Sequence, residues 1–457
     1  MKIKYIISTL CIALFISCSD DFTDLAPISQ RNAGIFYKTA SDMEVAVNAI
    51  YNTLKSSGCY NQSYWVLQEL RSDNTFWDGT GLAEEITVFD KFTDISTSDI
   101  TEAAWNDSYL GVSRANIVLD RIGGVTMNAA QRDQLTGEAL FLRSLFYYHL
   151  SVAFGNIPLV LEETSSVAEG QEHRQVDATT VYNQLVGDLA EAESKLPQSY
   201  SSSQLGRATK GAAATLLAKV YLTMGDRTNA EAALRRVMGL GYSLIDDYAN
   251  LWGVENEHNA ESIFEVEFEG GLANQGNVFT NQFHGDLSAS VTSGQRNIPE
   301  RDLVDAYEDG DLRFEASLEG VTEDNTGWPI KYGTTNPFSE DDAPNNWVVF
   351  RYADVLLMLA EALGEGPDAY DLINQVRARA GLDPVDASSP GSFSDKLLQE
   401  RRVELAFENH RWADLLRFGA AESVMSAQGK PVNGKLLFAI PQRELDLNSN
   451  FTQNPGY

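Results

Sequence analysis

The sequence predicts a predominantly all-α protein, built from paired helices and interrupted by a loop-rich insertion with short strands. Three stretches support this prediction. Almost every residue of Ala139–Phe154 is apolar, which is typical of a helix buried on all sides. Asp177–Leu196 repeats its leucines at helical spacing. Lys210–Met238 holds two helices rich in small residues, joined by a glycine-aspartate turn. Together they indicate helices packed on helices.

The central helix carries one formal charge, Arg143, and ends at Gly155 and Asn156, where Pro158 prevents it from resuming. A charge inside a buried helix requires a carboxylate or carbonyl partner. We therefore expect Arg143 to hold structural elements together rather than to contact a ligand.

The N-terminus predicts export and lipidation. Two lysines precede the apolar run Tyr5–Ile16, which has the order of a secretory signal. The run ends at Ser17 and Cys18 and is followed by acidic residues, an arrangement that resembles a bacterial lipoprotein site, although Phe15 departs from the usual leucine. We expect a signal peptide over residues 1–17 and a lipidated tether over 18–34. An ordinary secretory signal is the alternative.

The charge balance excludes some partners. The chain has 34 basic and 65 acidic residues, a net charge of −31. Nucleic-acid binding and adhesion to an anionic membrane through a basic patch both depend on basic side chains, so neither is expected. After loss of the signal and lipidation of Cys18, Cys59 remains alone, which excludes an intramolecular disulfide.

The other elements follow from periodicity and turn residues. We predict helices at about 41–58, 101–122, 349–363, 367–382, 393–409 and 411–418, a short helix within 302–312, and short strands at 264–268 (half-buried) and 436–440. Residues 59–100 predict a long loop with short helices. We expect one domain over 35–457, with helix pairs at about 41–239 and 349–382, a ligand-facing insertion at about 240–346, and C-terminal helices and a tail at 393–457.

Two helix pairs resemble tetratricopeptide repeats. One is Lys210–Met238, and the other spans 349–382 with its turn at Gly364–Gly366. Units of this kind stack to bury their apolar faces, and pairing the earlier helices gives about four of them.

A family resemblance covers most of the chain. The central helix matches the pattern E-A-x-F-L-R-x-x-x-Y-x-x-L-x-x-x-F-G-x-I-P-L. Further matches lie at Arg114–Ile122, Phe350–Ala362, Glu400–Leu415 and the terminal Gln-Asn-Pro-Gly-Tyr. With the lipoprotein start, these motifs resemble the SusD/RagB family of cell-surface nutrient-binding lipoproteins. The resemblance implies a SusD-like helical fold, a lipid anchor on the outer membrane facing outwards, and a SusC-like TonB-dependent transporter as partner.

Glycan-binding proteins stack sugar rings on aromatic side chains flanked by polar groups that bind hydroxyls. In the two regions that resemble the family's binding loops, the candidates are Trp77, Trp328, Tyr332, Asp73, Asp78, Arg71 and Arg296. Burial of the tryptophans and salt bridging of the charged residues are the alternatives. We assign Trp105, Trp252 and Trp412 to the core.

No catalytic or cofactor motif is present, and the five histidines are scattered. The acidic run 339–342 is expected to be a solvated loop rather than a calcium site. We therefore expect a non-catalytic protein that captures glycans and uses neither a cofactor nor a metal. Peptide capture, as in the RagB branch, is the first alternative, followed by a scaffold that binds only proteins and, more distantly, a glycoside hydrolase.

Overall fold

The computed structural model describes residues 36–77, 84–284, 296–333 and 342–457. The predicted signal peptide, the lipidation site Cys18, the tether, Asp78 and residues 339–341 of the acidic run lie outside these ranges.

Helices make up most of the described chain. In chain order they are α1 (Ala40–Thr53), α2 (Ser63–Trp65), α3 (Glu84–Asp90), α4 (Asp99–Arg121), α5 (Ala129–Phe154), α6 (Val167–Glu172), α7 (Ala178–Lys195), α8 (Lys210–Thr223), α9 (Arg227–Met238), α10 (Phe279–Phe283), α11 (Arg301–Val304), α12 (Arg313–Ser317), α13 (Tyr352–Leu363), α14 (Pro367–Arg379), α15 (Phe393–Glu404), α16 (Arg411–Arg417), α17 (Ala421–Ala427) and α18 (Gln442–Leu447). A π-helical turn, Val66–Leu70, extends α2.

The strands are short and pair in twos, always antiparallel. They are β1 (Thr75–Phe76), β2 (Ile157–Pro158), β3 (Gln175–Val176), β4 (Ser262–Val266), β5 (Ile298–Pro299), β6 (Leu318–Val321), β7 (Thr326–Pro329) and β8 (Trp347–Arg351). The pairs are β1 with β5, β2 with β3, β4 with β8, and β6 with β7. Each pair joins two separate segments of the chain through backbone hydrogen bonds.

The long helices pack in series as four consecutive pairs: α1 with α4, α5 with α7, α8 with α9, and α13 with α14. Each pair also packs on the next, so the predicted helical architecture is confirmed. The close approach of α4 and α5 depends on Gly111, where a Cβ atom would lie 2.2 Å from the Phe146 ring. Among the described residues, no helix combines the length and apolarity that crossing a membrane requires.

The helix α5 is the centre of the core, as predicted. From Leu135 to its C-terminus nearly all of its side chains are buried. The guanidinium of Arg143 forms a salt bridge of 2.6 Å with Asp188 on α7 and donates to Asn116 Oδ1 on α4 at 2.9 Å. Arg143 therefore joins three helices, which confirms its structural role.

Several predicted elements were wrong in detail. Residues 349–351, predicted as the start of a helix, belong to strand β8 because they pair with β4. That pairing, together with Asn346, covers Glu265, so β4 is buried rather than half-buried. No strand forms at 436–440, where the backbone N–H of Phe438 donates to Ala153 on α5. Helix α15 ends at Glu404, and the positive φ angle of Phe407 (69°) prevents its continuation to 409.

A buried ionic network connects the insertion to the helices. Glu404 on α15 accepts hydrogen bonds from Arg313 (3.0 Å), Arg351 and Arg379. Burial alone would raise the pKa of Glu404, but the three guanidiniums hold it well below its ordinary value. The insertion is therefore fixed to the repeat helices by fully desolvated charges.

Candidate functional site

Three short strands bring distant parts of the chain to one place. Strand β1 pairs with β5, so that Phe76 lies opposite Ile298. Strand β5 in turn packs beside β7, which carries Trp328. As a result, the first long loop and the insertion meet, and they bring with them Trp77, Arg296 and Trp328. We call these three residues and their neighbours His284 and Asn297 the aromatic edge.

The two tryptophans of the aromatic edge are only half-buried. Trp77 directly follows β1 and packs one side of its ring against the core. The ring of Trp328 lies 5.8 Å from that of His284, measured between centroids. It also lies over Gly320 of β6, where a Cβ atom would come within 2.2 Å of it. Gly320 has a φ angle of 73°, so the hairpin turns in a conformation that favours glycine and leaves room for the indole.

The aromatic edge holds several polar atoms without a hydrogen-bond partner, as do other parts of the described structure. In the described structure, the Nε atom of Arg296, both polar side-chain atoms of Asn297 and the indole N–H groups of Trp77 and Trp328 have no hydrogen-bond partner. Arg296 is positioned through its backbone, whose N–H donates to the carbonyl of Gln282 at 2.7 Å. Polar atoms below the surface are normally satisfied by protein, water or a ligand. These atoms lie below the surface, so water or a ligand that satisfies them has to reach into the edge.

Arg71 lies in the core, contrary to its prediction as a residue that binds ligand hydroxyls. Its side chain is fully buried and forms a salt bridge of 2.7 Å with Asp94. It also donates to the carbonyls of Phe89 and Lys435, and its guanidinium lies 3.9 Å from the centre of the Phe92 ring. These contacts account for its burial and leave no surface for a ligand.

Asp73 and Tyr332 are also buried, which corrects their prediction as ligand contacts. Asp73 forms salt bridges with Arg411 (2.7 Å) and Arg402 (3.1 Å). Burial favours its protonated form, but the two guanidiniums dominate and lower the pKa of Asp73. Tyr332 stacks on Trp347 with a centroid separation of 4.6 Å, and burial raises its pKa well above the ordinary value. The residues assigned to the core, Trp105, Trp252 and Trp412, are buried as predicted.

A separate cavity of about 680 Å³ opens between α4, the segment around α6 and the C-terminal α18. Its walls are largely apolar and include Tyr109 and Phe451. Exposed Val167 and Leu447 lie at its rim. An apolar cavity of this size is a typical ligand site, so it competes with the aromatic edge. None of the residues predicted from the sequence as ligand contacts lines it.

The sequence did not single out His284 and Asn297. Neither belongs to a recognisable motif. Asn297 reaches the edge through the pairing of β1 with β5, and His284 through its ring contact with Trp328. The signal that could have found them is the mixture of aromatic and amide residues in 273–297, which includes two phenylalanines and several asparagines and glutamines.

Comparisons with known proteins agree with this architecture. The model of the SusD family matches residues 319–439, and a model described as starch-binding, associating with the outer membrane, matches residues 21–222. SusD-like protein P2 of Formosa agariphila is 26% identical in an alignment that covers 100% of this chain and 99% of that protein. The solved structure of a laminarin binding SusD-like protein is 31% identical, with a TM-score of 0.82, and covers 92% of this chain and 100% of that one.

The chain belongs to the SusD family. The match to the laminarin binding structure extends over the helix pairs, the insertion and the C-terminal helices alike, so membership does not rest on one motif. Surface glycan-binding protein A from Bacteroides fluxus has the same fold, with 25% identity, a TM-score of 0.80 and coverage of 92% of this chain and 100% of that chain.

Proposed function

We propose that this protein is a cell-surface lipoprotein that captures oligosaccharides without modifying them. We further propose that it passes them to a SusC-like TonB-dependent transporter in the outer membrane. One observation carries the proposal: half-buried Trp77 and Trp328 lie at one edge with polar side chains that lack hydrogen-bond partners. Family membership supports it.

The chemistry of the aromatic edge suits sugars. A pyranose ring offers flat C–H faces, which pack on indole rings, and hydroxyl groups, which hydrogen-bond to amide and guanidinium groups. In our proposal Trp77 and Trp328 provide the apolar surfaces. Arg296 and Asn297 provide the donors and acceptors, and Asp78, which follows Trp77 in the sequence, remains part of the proposed site. Arg71 and Asp73 are left out of the proposed site because ion pairs in the core hold their charges, and Tyr332 is left out because its ring stacks on Trp347.

A β-glucan is the first ligand to test. The solved structure with 31% identity is described as a laminarin binding protein, and this is a property of that protein. Its likeness to our chain makes laminarin and its oligosaccharides the natural starting point of a glycan panel. Because the identity is 31% overall, other glycans belong in the same panel.

The test is binding of the chain from residue 19 onward to a panel of glycans and peptides. This form retains every described residue and lacks only the predicted signal and lipidation site. Binding of at least one glycan, with no shortening of the glycan after incubation, supports the proposal. Binding of peptides alone would favour the alternative of peptide capture, and release of shorter glycans would establish an enzyme.

The lipid anchor and the transporter need a separate experiment. In the native organism, the wild-type protein should carry covalently bound lipid, and Cys18→Ala should carry none. The wild-type protein should co-purify with a TonB-dependent transporter. A Cys18→Ala protein that still carries lipid would contradict lipidation at Cys18, and purification without any transporter would contradict the partnership.

A further inference from the structure

A second group of polar side chains lies outside the aromatic edge, around the start and end of β4. The Nε2 atom of His258 lies 3.1 Å from a carboxylate oxygen of Glu267, and its Nδ1 atom lies 3.9 Å from one of Glu265. One potential ligand atom from each of the three residues lies within 4.8 Å of the other two. We call this group the His258 cluster.

The backbone places these side chains on one surface. Glu265 and Glu267 are two residues apart in an extended segment, so their side chains point to the same side. His258 adopts a left-handed backbone conformation with a φ angle of 55°, and its ring lies between the two carboxylates. The amide of Asn346 donates to Glu265 at 3.0 Å and to Glu267 at 3.1 Å. Such outer contacts orient carboxylates in metal sites.

Negative charge in the cluster is poorly balanced. Among the described residues, neither Glu265 nor Glu267 has a lysine or arginine within salt-bridge distance, and His258 is their basic partner. Lys55 donates to Gln275 and interacts with Glu267 only at longer range than a salt bridge. The Glu265 side chain is 1% exposed, so its charge has little access to water. A buried carboxylate is stable only when a partner compensates its charge. A divalent cation compensates two carboxylates more fully than a single imidazole does.

The cluster is also reachable from solvent. Glu265 contributes to the walls of two cavities, of about 670 and 400 Å³. Glu267 lines the first, and His258 lines the second. An ion therefore has an entry path, which a functional metal site requires.

We propose that His258, Glu265 and Glu267 bind a divalent first-row transition-metal ion. One imidazole nitrogen and two carboxylate oxygens suit zinc or its neighbours, whereas calcium prefers six to eight oxygen ligands. Tetrahedral zinc with bonds of about 2.0–2.2 Å needs its ligand atoms roughly 3.3 Å apart. The two carboxylates face different nitrogens of His258, so on binding the imidazole must turn and the cluster must contract around one nitrogen. Glu267, whose side chain is 46% exposed, is free to make that movement, and water completes the coordination.

The experiment is calorimetric titration of ZnCl₂ into the chelator-treated chain from residue 19 onward, with CaCl₂ titrated separately. The expected result is one zinc ion per chain with micromolar or tighter affinity, and calcium binding at least tenfold weaker. Zinc binding is also expected to raise the melting temperature, which provides a readout that needs no glycan. Absence of zinc binding below 100 μM, or equal affinity for calcium, would overturn the proposal.

Two surface-accessible substitutions locate the site. His258→Ala and Glu267→Gln should each weaken zinc binding at least tenfold while circular dichroism shows an intact fold. Glu269→Gln is the matched control, since Glu269 is an exposed acid on the same segment outside the cluster. It should bind zinc like the wild type. Zinc binding that survives both His258→Ala and Glu267→Gln would place the ion elsewhere and overturn the assignment.

Discussion

The segment 71–77 begins in the buried core and ends at the partly exposed aromatic edge. Arg71 and Asp73 are buried, and their charges are compensated by Asp94 and by Arg402 and Arg411. Trp77, just beyond β1, is half-buried, and its indole N–H has no hydrogen-bond partner in the described structure. The comparison teaches that charge in a loop does not identify a binding residue. What distinguishes the aromatic edge is that Trp77 and Trp328 keep part of their ring surface exposed, whereas the side chains of Arg71 and Asp73 are buried in ion pairs.

The largest expected effect is the loss of stability that follows when a buried ion pair of segment 71–77 is removed. Asp73→Asn removes the charge that balances Arg402 and Arg411. Since breaking a buried ion pair leaves an uncompensated charge, we expect the free energy of unfolding to fall by about 3–5 kcal/mol. Urea unfolding measures this loss. Glycan affinity of the folded variant should stay within twofold of wild type. A stable variant with weakened glycan binding would return Asp73 to the binding site.

A second prediction concerns protonation in the core. His149 on α5 contacts the Tyr60 hydroxyl at 2.8 Å, and burial, followed by the nearby charges of Lys219 and His410, lowers its pKa to about 3. The unfolded chain binds a proton at this histidine near pH 6.5, whereas the folded chain does not. The stability contributed by neutral His149 is therefore present above pH 6.5 and is lost as the pH falls towards 3.

His149→Gln isolates this effect, because glutamine is polar but does not titrate. Between pH 7 and pH 5, the wild type should lose about 2 kcal/mol of unfolding free energy relative to the variant. Chemical unfolding at the two pH values measures the difference. Parallel pH profiles for the two proteins would show that His149 already titrates normally and that the core around it admits charge.

A smaller effect is expected from the turn that supports Trp328. Gly320→Ala introduces a Cβ atom 2.2 Å from the indole, at a backbone φ angle of 73°. The left-handed conformation alone costs about 1–2 kcal/mol for a residue with a side chain. We expect a lower melting temperature and weaker glycan binding together. Gly310→Ala is the control, since it has a similar φ angle (87°) but open space around it. It should lose stability without losing glycan affinity.

If both glycine variants weaken glycan binding equally, the effect comes from the insertion as a whole rather than from the position of Trp328. If neither does, Trp328 is not part of the binding surface. Either result would change the membership of the aromatic edge without changing the account of the core.

Much of the fold could be predicted because its signals are local. The helix α5 is apolar around its whole circumference, and Arg143 within it had to find a partner. The small residues of α8 identified a close helix pair. Elements that depend on distant pairing were missed. Trp347 lies in a strand because β8 pairs with β4, and Phe407 ends a predicted helix through its backbone conformation. No periodic pattern in the sequence predicts the strand pairing or the backbone conformation of Phe407.

The site was less predictable for the same reason. Residues 59–100 lack periodicity, so nothing in the sequence separates buried Arg71 from half-buried Trp77. Arg296 and Asn297 approach Trp77 only through the pairing of Phe76 with Ile298. Aromatic type and loop position did indicate Trp77 and Trp328. The charged residues were chosen by type alone, and two of them proved to be buried ion-pair partners.

The most direct test measures glycan affinity for Trp77→Ala and Trp328→Ala, using the glycan that the panel identifies and isothermal titration calorimetry. Phe451→Ala, in the wall of the competing cavity, is the matched aromatic control. The account predicts that each tryptophan variant loses about 1–3 kcal/mol of binding free energy, roughly five- to 150-fold in affinity, while Phe451→Ala binds like wild type. Normal binding by both tryptophan variants, with loss in Phe451→Ala, would contradict the account and move the site to the cavity.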